Sequence, residues 1–181
     1  MDIAIYGGSF DPPHIAHEKI ANLVLENLEI TKLFIVPTYL NPFKDKSFLD
    51  ASTRLDLVKE LFSVNEKIDI LDYEVKQKEK VPTYKTIKYL QSIYKIDKIY
   101  LIIGADNLKN IHLWYNADKL KDLVEFVVIS RDDYPLKHSY TNMKTISLNI
   151  DISSSKLREK MELKYIPKKI QNKVKELWKI E

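Results

Sequence analysis

The sequence predicts an α/β protein. The expected architecture is a doubly wound, Rossmann-like parallel sheet with helices on both faces and a C-terminal helical segment. Three observations carry this. Short apolar runs of strand length alternate with stretches whose apolar residues recur at helical spacing. Most strand runs are uniformly apolar, as in strands buried on both faces. No repeat, low-complexity tract or linker divides the 181 residues, so one domain spanning 1–181 is expected.

The elements follow in order. Ile3-Ala4-Ile5-Tyr6 reads as a first strand, and Glu18 to Leu25 as the first helix. Lys32 to Pro37 is a buried-type second strand ended by proline, followed by a loop from Thr38 to Lys44. Asp50 or Ser52 can cap a helix running to about Phe62, with Leu55, Leu57, Val58 and Leu61 as its apolar positions. Ile68 to Glu74 reads as a third strand. Val81-Pro82-Thr83 enters a helix whose inner face is Ile87, Leu90 and Ile93-Tyr94. Lys98 to Gly104 is the clearest buried strand. A short helix around Trp114 to Leu123 precedes a fifth strand, Glu125 to Ser130, and Tyr134 to Lys144 reads as a loop. Thr145 to Ile150 is the sixth strand. Ser153-Ser154-Ser155 can cap a helix containing Arg158, and a tail helix starts near Pro167.

Composition excludes several classes. Apolar content of 45% and charged content of 30% are those of an ordinary globular protein. There is no cysteine, hence no disulfide framework and no thiol chemistry, which fits a reducing cytoplasm. No apolar run approaches membrane-span length, and no basic segment followed by an apolar core suggests a secretory leader. A cytoplasmic protein without a membrane partner is expected. Net charge is only +3, so nucleic acid is not an expected partner. The basic tail from Lys164 to Lys179 carries Ile170, Val174 and Leu177 at helical spacing and reads as an amphipathic helix with a solvated face.

The chemistry concentrates in Gly7-Gly8-Ser9-Phe10-Asp11-Pro12-Pro13-His14-Ile15-Ala16-His17, a strand-to-helix turn. Glycine without a β-carbon lets backbone N–H groups approach a ligand closely. A helix N-terminus suits a phosphate, because its N–H groups are unpaired and its dipole end is positive. His14 and His17, three apart, share one helix face at the place where that phosphate would lie. Imidazole can donate to a phosphoryl oxygen, and protonated it adds charge. A zinc site is the competing use of two histidines, but neither a cysteine nor an obvious third ligand lies nearby. In open α/β sheets ligands bind beyond the carboxyl ends of the strands. Asn41 to Lys44, Asp106, Arg131 and Ser153 to Arg158 all fall at such ends. Read alone, Ser153 to Arg158 serves equally as a phosphate cradle or as a plain N-cap with a surface arginine. Trp114 alone reads as a packed helix residue and Lys44 alone as a solvated loop lysine. Arg54 reads as a surface residue of its helix or a lid contact.

GGSFDPPHIAH resembles the (S/T)xFxPxHxxH motif of the nucleotidylyltransferase superfamily, in the GGSFDPxHxxH form of the bacterial nicotinate-nucleotide adenylyltransferases. Ile152-Ser153-Ser154-Ser155-Lys156-Leu157-Arg158 is similar to the same family's ISSTxxR motif, with Ser155 in place of threonine. Gly104-Ala105-Asp106 with Trp114 resembles its GxDxxxxxxxW segment, and Asn41-Pro42-Phe43-Lys44 its P-(H/F)-K segment. Two departures stand out. An SYTxDTL-like segment is matched only by Thr83 and Tyr84, and of an Arg-Pro-Gly after the fifth strand only Arg131 carries over.

The resemblance implies transfer of AMP from ATP to nicotinate mononucleotide. The products would be nicotinate adenine dinucleotide and pyrophosphate, a step of NAD biosynthesis. His14 and His17 would be catalytic. Gly7, Gly8, Ser9, Phe10, Lys44, Ser153, Ser154 and Arg158 would bind ATP and its phosphates. Thr83, Tyr84, Asp106, Trp114 and Arg131 would bind the pyridine nucleotide, with Trp114 stacking on its ring. Mg²⁺ would accompany ATP, held mainly by phosphates and water rather than by a protein cage. Nicotinamide mononucleotide as preferred acceptor, other phosphate acceptors and a non-catalytic nucleotide sensor stay open, as does a homo-oligomer.

Overall fold

The computed structural model describes residues 1–130, 143–148, 150 and 152–179. Six parallel strands form one sheet in the order β3-β2-β1-β4-β5-β6. They are β1 (Asp2–Gly8), β2 (Lys32–Pro37), β3 (Ile68–Ile70), β4 (Lys98–Gly104), β5 (Glu125–Ser130) and β6 (Met143–Ser147). Between and after them lie α1 (Ile15–Asn27), α2 (Ala51–Phe62), α3 (Tyr73–Gln77), α4 (Thr83–Ile93), α5 (Ala117–Leu123), α6 (Ser154–Lys160) and α7 (Lys168–Trp178). A 3-10 stretch, Ala105–Leu113, follows β4 directly. The strand order reverses between β1 and β4, which are hydrogen-bonded neighbours.

Strand alternation splits the core into two layers. Ala4 and Tyr6 of β1, Leu33 and Ile35 of β2, and Tyr100 and Ile102 of β4 face one layer, closed by α1, α2, α6 and α7 through Val24, Leu57, Leu61, Leu157, Ile170 and Val174. Ile3 and Ile5, Phe34 and Val36, and Leu101 and Ile103 face the other, closed by Ile87 and Leu90 of α4, Ile111 and Leu120. Apolar side chains on both faces explain why these strands read as unbroken apolar runs.

The expected fold class is the observed one, with local differences. The third strand is only three residues long. Asp72 ends the run and the chain turns into α3 at Tyr73, so Glu74 is helical and buried rather than the last strand residue. Strand β6 starts and stops earlier than the apolar run suggests. Of the expected inner face of α4, Ile87 and Leu90 are buried but Ile93 and Tyr94 are exposed, because the helix ends at Ile93. In α7 the buried stripe is Ile170, Val174 and Trp178, four apart, and Leu177 faces outward. Its basic face meets α2, where Lys173 pairs with Glu60 and Lys169 Nζ donates to Ser63 Oγ at 2.8 Å. Asp50 caps α2 by accepting from the Thr53 N–H at 3.0 Å. No helix among the described residues is long and apolar enough to cross a membrane.

Candidate active site

Two cavities open at the carboxyl ends of the strands, one on each side of the β1/β4 reversal. They share Tyr6, Gly7, Gly8, Gly104 and Asn107. This is where an open α/β sheet offers a crevice for a dinucleotide. The first cavity, about 490 Å³, contains His14, His17, Ser9, Asp106, Ser153 and Ser154. The second, about 370 Å³, contains Thr83, Tyr84 and Trp114, with Asn41, Pro42 and Phe43 also in its wall.

The histidine side follows from the backbone. His14 is the N-cap of α1 and His17 its third residue. The two imidazoles stack at 3.7 Å between centroids. The backbone N–H of His14 donates to His17 Nδ1 at 3.1 Å. With Nδ1 accepting, the neutral ring carries its proton on Nε2 and presents that N–H as a donor. Burial, and the neighbouring His14, pull the acidity constant of His17 well below the usual imidazole value. His17 is therefore a neutral donor near pH 7, not the imidazolium that remained open from the sequence.

Phe10 lies in neither cavity. It is buried in the left-handed backbone region, φ 47°, and its ring packs 4.8 Å from that of His17. Its ring thus packs against His17. A β-carbon on Gly8 would meet that ring at 3.1 Å, so the second glycine permits the turn to close over phenylalanine.

Ser153 caps α6 by accepting from the Lys156 N–H, and Ser154 Oγ donates to the Pro12 carbonyl at 3.3 Å. Arg158 donates through Nη1 to the Asp11 carbonyl at 2.6 Å and lies 3.7 Å from the Asp11 carboxylate. The second motif thus packs against the first, although Arg158 itself is outside both cavity walls. Lys44 is exposed and in neither wall, on a loop where its N–H donates to the Asn41 carbonyl. Arg131 lies outside the described residues.

Several residues were missed by sequence reasoning. Arg54 is fully buried, not a surface or lid residue. Its guanidinium donates to the carbonyls of Leu49 (3.2 Å), Ser9 (2.6 Å), Thr38 (2.8 Å) and Tyr39 (2.6 Å). It ties the loop after β1 to the loop after β2. The signal was present: Arg54 precedes Leu57, Val58 and Leu61 by three, four and seven, which puts it on the apolar stripe of α2. Asp11 is buried too, accepting from the N–H groups of Leu49 and Phe48 at 2.8 Å each. In the second cavity Thr38 Oγ1 and Trp114 Nε1 are buried without a hydrogen-bond partner, donors available to a bound molecule. Glu74 and Thr86 share that wall. Burial raises the Glu74 carboxyl to about 7, although the Thr86 hydroxyl, donating at 2.6 Å, favours the anion.

Comparison with known proteins gives the family and the fold. The cytidylyltransferase-like family model matches residues 5–160. A protein of Aliarcobacter butzleri, named "Probable nicotinate-nucleotide adenylyltransferase", is 46% identical, with 96% of this chain and 95% of that protein covered. Proteins of the same name from Sulfurimonas denitrificans (43% identical; 99% and 96% covered) and Campylobacter jejuni (41%; 98% and 97%) are also similar. Among solved structures, Plasmodium falciparum nicotinic acid mononucleotide adenylyltransferase complexed with NaAD superposes with a TM-score of 0.82 at 24% identity, over 99% of this chain and 96% of that one. The same enzyme complexed with APC gives 0.77 at 23% identity, with the same coverage. These two share the fold. Identity above 40% over nearly full length, together with the family match, places the chain in the nicotinate-nucleotide adenylyltransferase family of cytidylyltransferase-like proteins.

Proposed function

We propose that this chain, acting as one domain, joins nicotinate mononucleotide to the AMP part of ATP, releasing pyrophosphate and forming nicotinate adenine dinucleotide for NAD biosynthesis. The observation that carries the reading is the pair of cavities meeting at Gly7-Gly8, with the two histidines on one side and Trp114 on the other. ATP occupies the histidine side and the mononucleotide the tryptophan side. Their reacting phosphates meet over the glycine turn.

An oxygen of the mononucleotide phosphate forms a bond to the α-phosphorus of ATP. The bond from that phosphorus to the oxygen bridging to the β-phosphate breaks, and the electron pair leaves with pyrophosphate. The nucleophile is already anionic, so no strong general base is required. Catalysis is positioning and charge stabilisation. His17 donates its Nε2 proton as a hydrogen bond to the crowded phosphoryl oxygens, and His14 stacks against it. Ser154 and the N-terminus of α6 hold the leaving phosphates, and Arg158 reaches them by turning from Asp11. Lys44 adds a further charge if its loop folds inward. Trp114 stacks on the pyridine ring, and Thr83 and Tyr84 contribute N–H groups from the start of α4.

A divalent cation, taken here as Mg²⁺, supplies charge neutralisation across the phosphates when bound. Among the described residues no cluster of three or more His, Asp or Glu could cage a metal, and Asp106 is the acidic group in the histidine-side wall. This donor set fits an ion carried on phosphate oxygens and water. The test is pyrophosphate release with ATP and Mg²⁺, run in parallel with nicotinate mononucleotide, nicotinamide mononucleotide and phosphopantetheine. Preference for the nicotinate form is expected. Preference for the amide would change the physiological acceptor. ATP binding without release to any acceptor would overturn the enzymatic reading in favour of a sensor.

A further inference from the structure

The cavity assigned to an anionic acceptor has an unexpected charge inventory. Among its described lining residues there is no lysine, arginine, histidine or aspartate. Apart from three tyrosines, the one ionisable side chain among these described residues is Glu74, itself an acid. An ionised Glu74 would repel a second carboxylate in the same enclosed space, where water screens charge poorly.

The geometry around Glu74 is built rather than incidental. It is 5% exposed and sits in the first turn of α3, the helix that replaces the end of the expected third strand. Thr86, in the first turns of α4, donates its hydroxyl to Oε1. The start of α4 also supplies Pro82, Thr83 and Tyr84 to the same wall. One end of the mononucleotide, its phosphate, must lie at Gly7-Gly8 to meet ATP. The polar substituent on the pyridine is then left for the wall that carries Glu74, Thr83 and Thr86. Among the described residues, the charged groups of the surrounding elements are exposed or already paired: Asp72 pairs with Lys76 at 3.0 Å, and Lys80 donates from outside the wall to the Pro42 carbonyl at 3.4 Å. Asp56 and Lys59 on α2, Lys76 on α3 and Lys85 and Lys88 on α4 are exposed, and Arg54 is committed to four carbonyls. Lys32 of β2 bonds Asp69 of β3, Tyr73 stacks on Tyr89, and Tyr84 packs edge-on to Tyr115.

We propose that Glu74 is a specificity-determining residue whose carboxyl, steadied by Thr86, must carry a proton for a carboxylate-bearing pyridine nucleotide to bind, whereas a carboxamide-bearing one accepts either form. Protonated, Glu74 donates a hydrogen bond to the substrate carboxylate and removes the repulsion. Ionised, it accepts from a carboxamide N–H and disfavours the carboxylate. Acid-over-amide preference thus becomes a function of pH, set by one buried acid whose titration falls near 7. The inference rests on the proposed adenylyl transfer to a pyridine mononucleotide.

The experiment is the ratio of kcat/KM for nicotinate over nicotinamide mononucleotide from pH 6 to 9. Both acceptors carry the same phosphate, and ATP and the histidines are common, so their titrations cancel in the ratio. In the native protein the ratio is expected to fall at least tenfold between pH 6.5 and 8.5, through KM rather than kcat. Glu74→Gln keeps an acceptor for Thr86 and a permanent donor, and should hold the ratio flat within about twofold. Thr86→Val removes the bond that favours the anion, so the fall should move to higher pH. This variant and the native profile decide the matter even if Glu74→Gln does not fold. A native ratio that stays flat across the range, with pyrophosphate released, would overturn the role of Glu74. No release with either acceptor would instead remove the functional reading beneath it.

Discussion

The two cavities that meet at Gly7-Gly8 are built in opposite ways. The histidines, serines and glycine turn of the histidine side come from two contiguous segments, 7–17 and 152–158, with Asp106 and Asn107 added from the stretch after β4. In each, the backbone makes the site: a glycine turn, an N-cap, a short run of serines at a helix start. The tryptophan side is gathered from many segments, and its chemistry depends on side chains that become neighbours only after folding: Thr38, Glu74, Thr86 and Trp114. Local architecture writes itself into sequence as a motif, because spacing alone fixes the geometry. A wall assembled across the fold leaves scattered residues with no shared spacing.

The largest expected effect breaks this division. Arg54 holds Ser9 of the histidine side and Thr38 and Tyr39 of the tryptophan side with one guanidinium. Arg54→Ala strands four carbonyls, and should lower stability by about 3–5 kcal/mol in urea denaturation and weaken both nucleotides together. If only one substrate were affected, the two loops would be held independently.

Burial of Glu74 gives the next effect. Its folded acidity constant, about 7, lies above the ordinary glutamate value of about 4.5. The folded state therefore binds the proton more tightly, and stability is full below about 4.5 and declines as pH rises to about 7. At pH 8 the penalty is at most about 3 kcal/mol. Glu74→Gln should remove it, so thermal denaturation should show the variant gaining on the native protein from pH 5 to 8. A constant difference across that range would refute the buried acid.

His17→Ala should sharpen the comparison from the histidine side. Loss of one strong donor is expected to reduce kcat at least ~100-fold while leaving acceptor KM nearly unchanged. Near-normal turnover in single-turnover measurements would remove His17 from the chemistry. Trp114→Ala is the smallest and the mirror image. Loss of stacking should raise acceptor KM about tenfold with little change in kcat or in ATP binding. A matching rise in ATP KM would show that the two sides are not separable.

The fold was legible because periodicity reports burial. Fully buried parallel strands read as apolar runs, and the glycine–histidine turn between β1 and α1 was visible for the same local reason. Errors fell where tertiary contacts override pattern. The run at Ile68 to Glu74 leaves the sheet after Ile70, where β3, an edge strand paired only with β2, ends. Arg54 was misread because a charged residue is ordinarily solvated, although its helical register said otherwise. Phe10 belonged to the motif, but only the folded chain shows its positive φ and its ring packed against His17. Glu74 had no sequence signal at all. Its meaning comes from the cavity, from Thr86 twelve residues on, and from the absence of any basic residue among the described walls around it.

The contacts of Arg158 with Asp11 and of Ser154 with Pro12 join residues 147 and 142 positions apart. Synthesis runs from the N-terminus, so the glycine–histidine turn emerges about 140 residues before its partner helix α6. Throughout that interval the growing chain holds half of the proposed phosphate site and no means of completing it. Long-range closure of this kind is slow relative to local helix formation. A chain interrupted before α6 would carry the recognisable motif without the contacts from Ser154 and Arg158 that brace it.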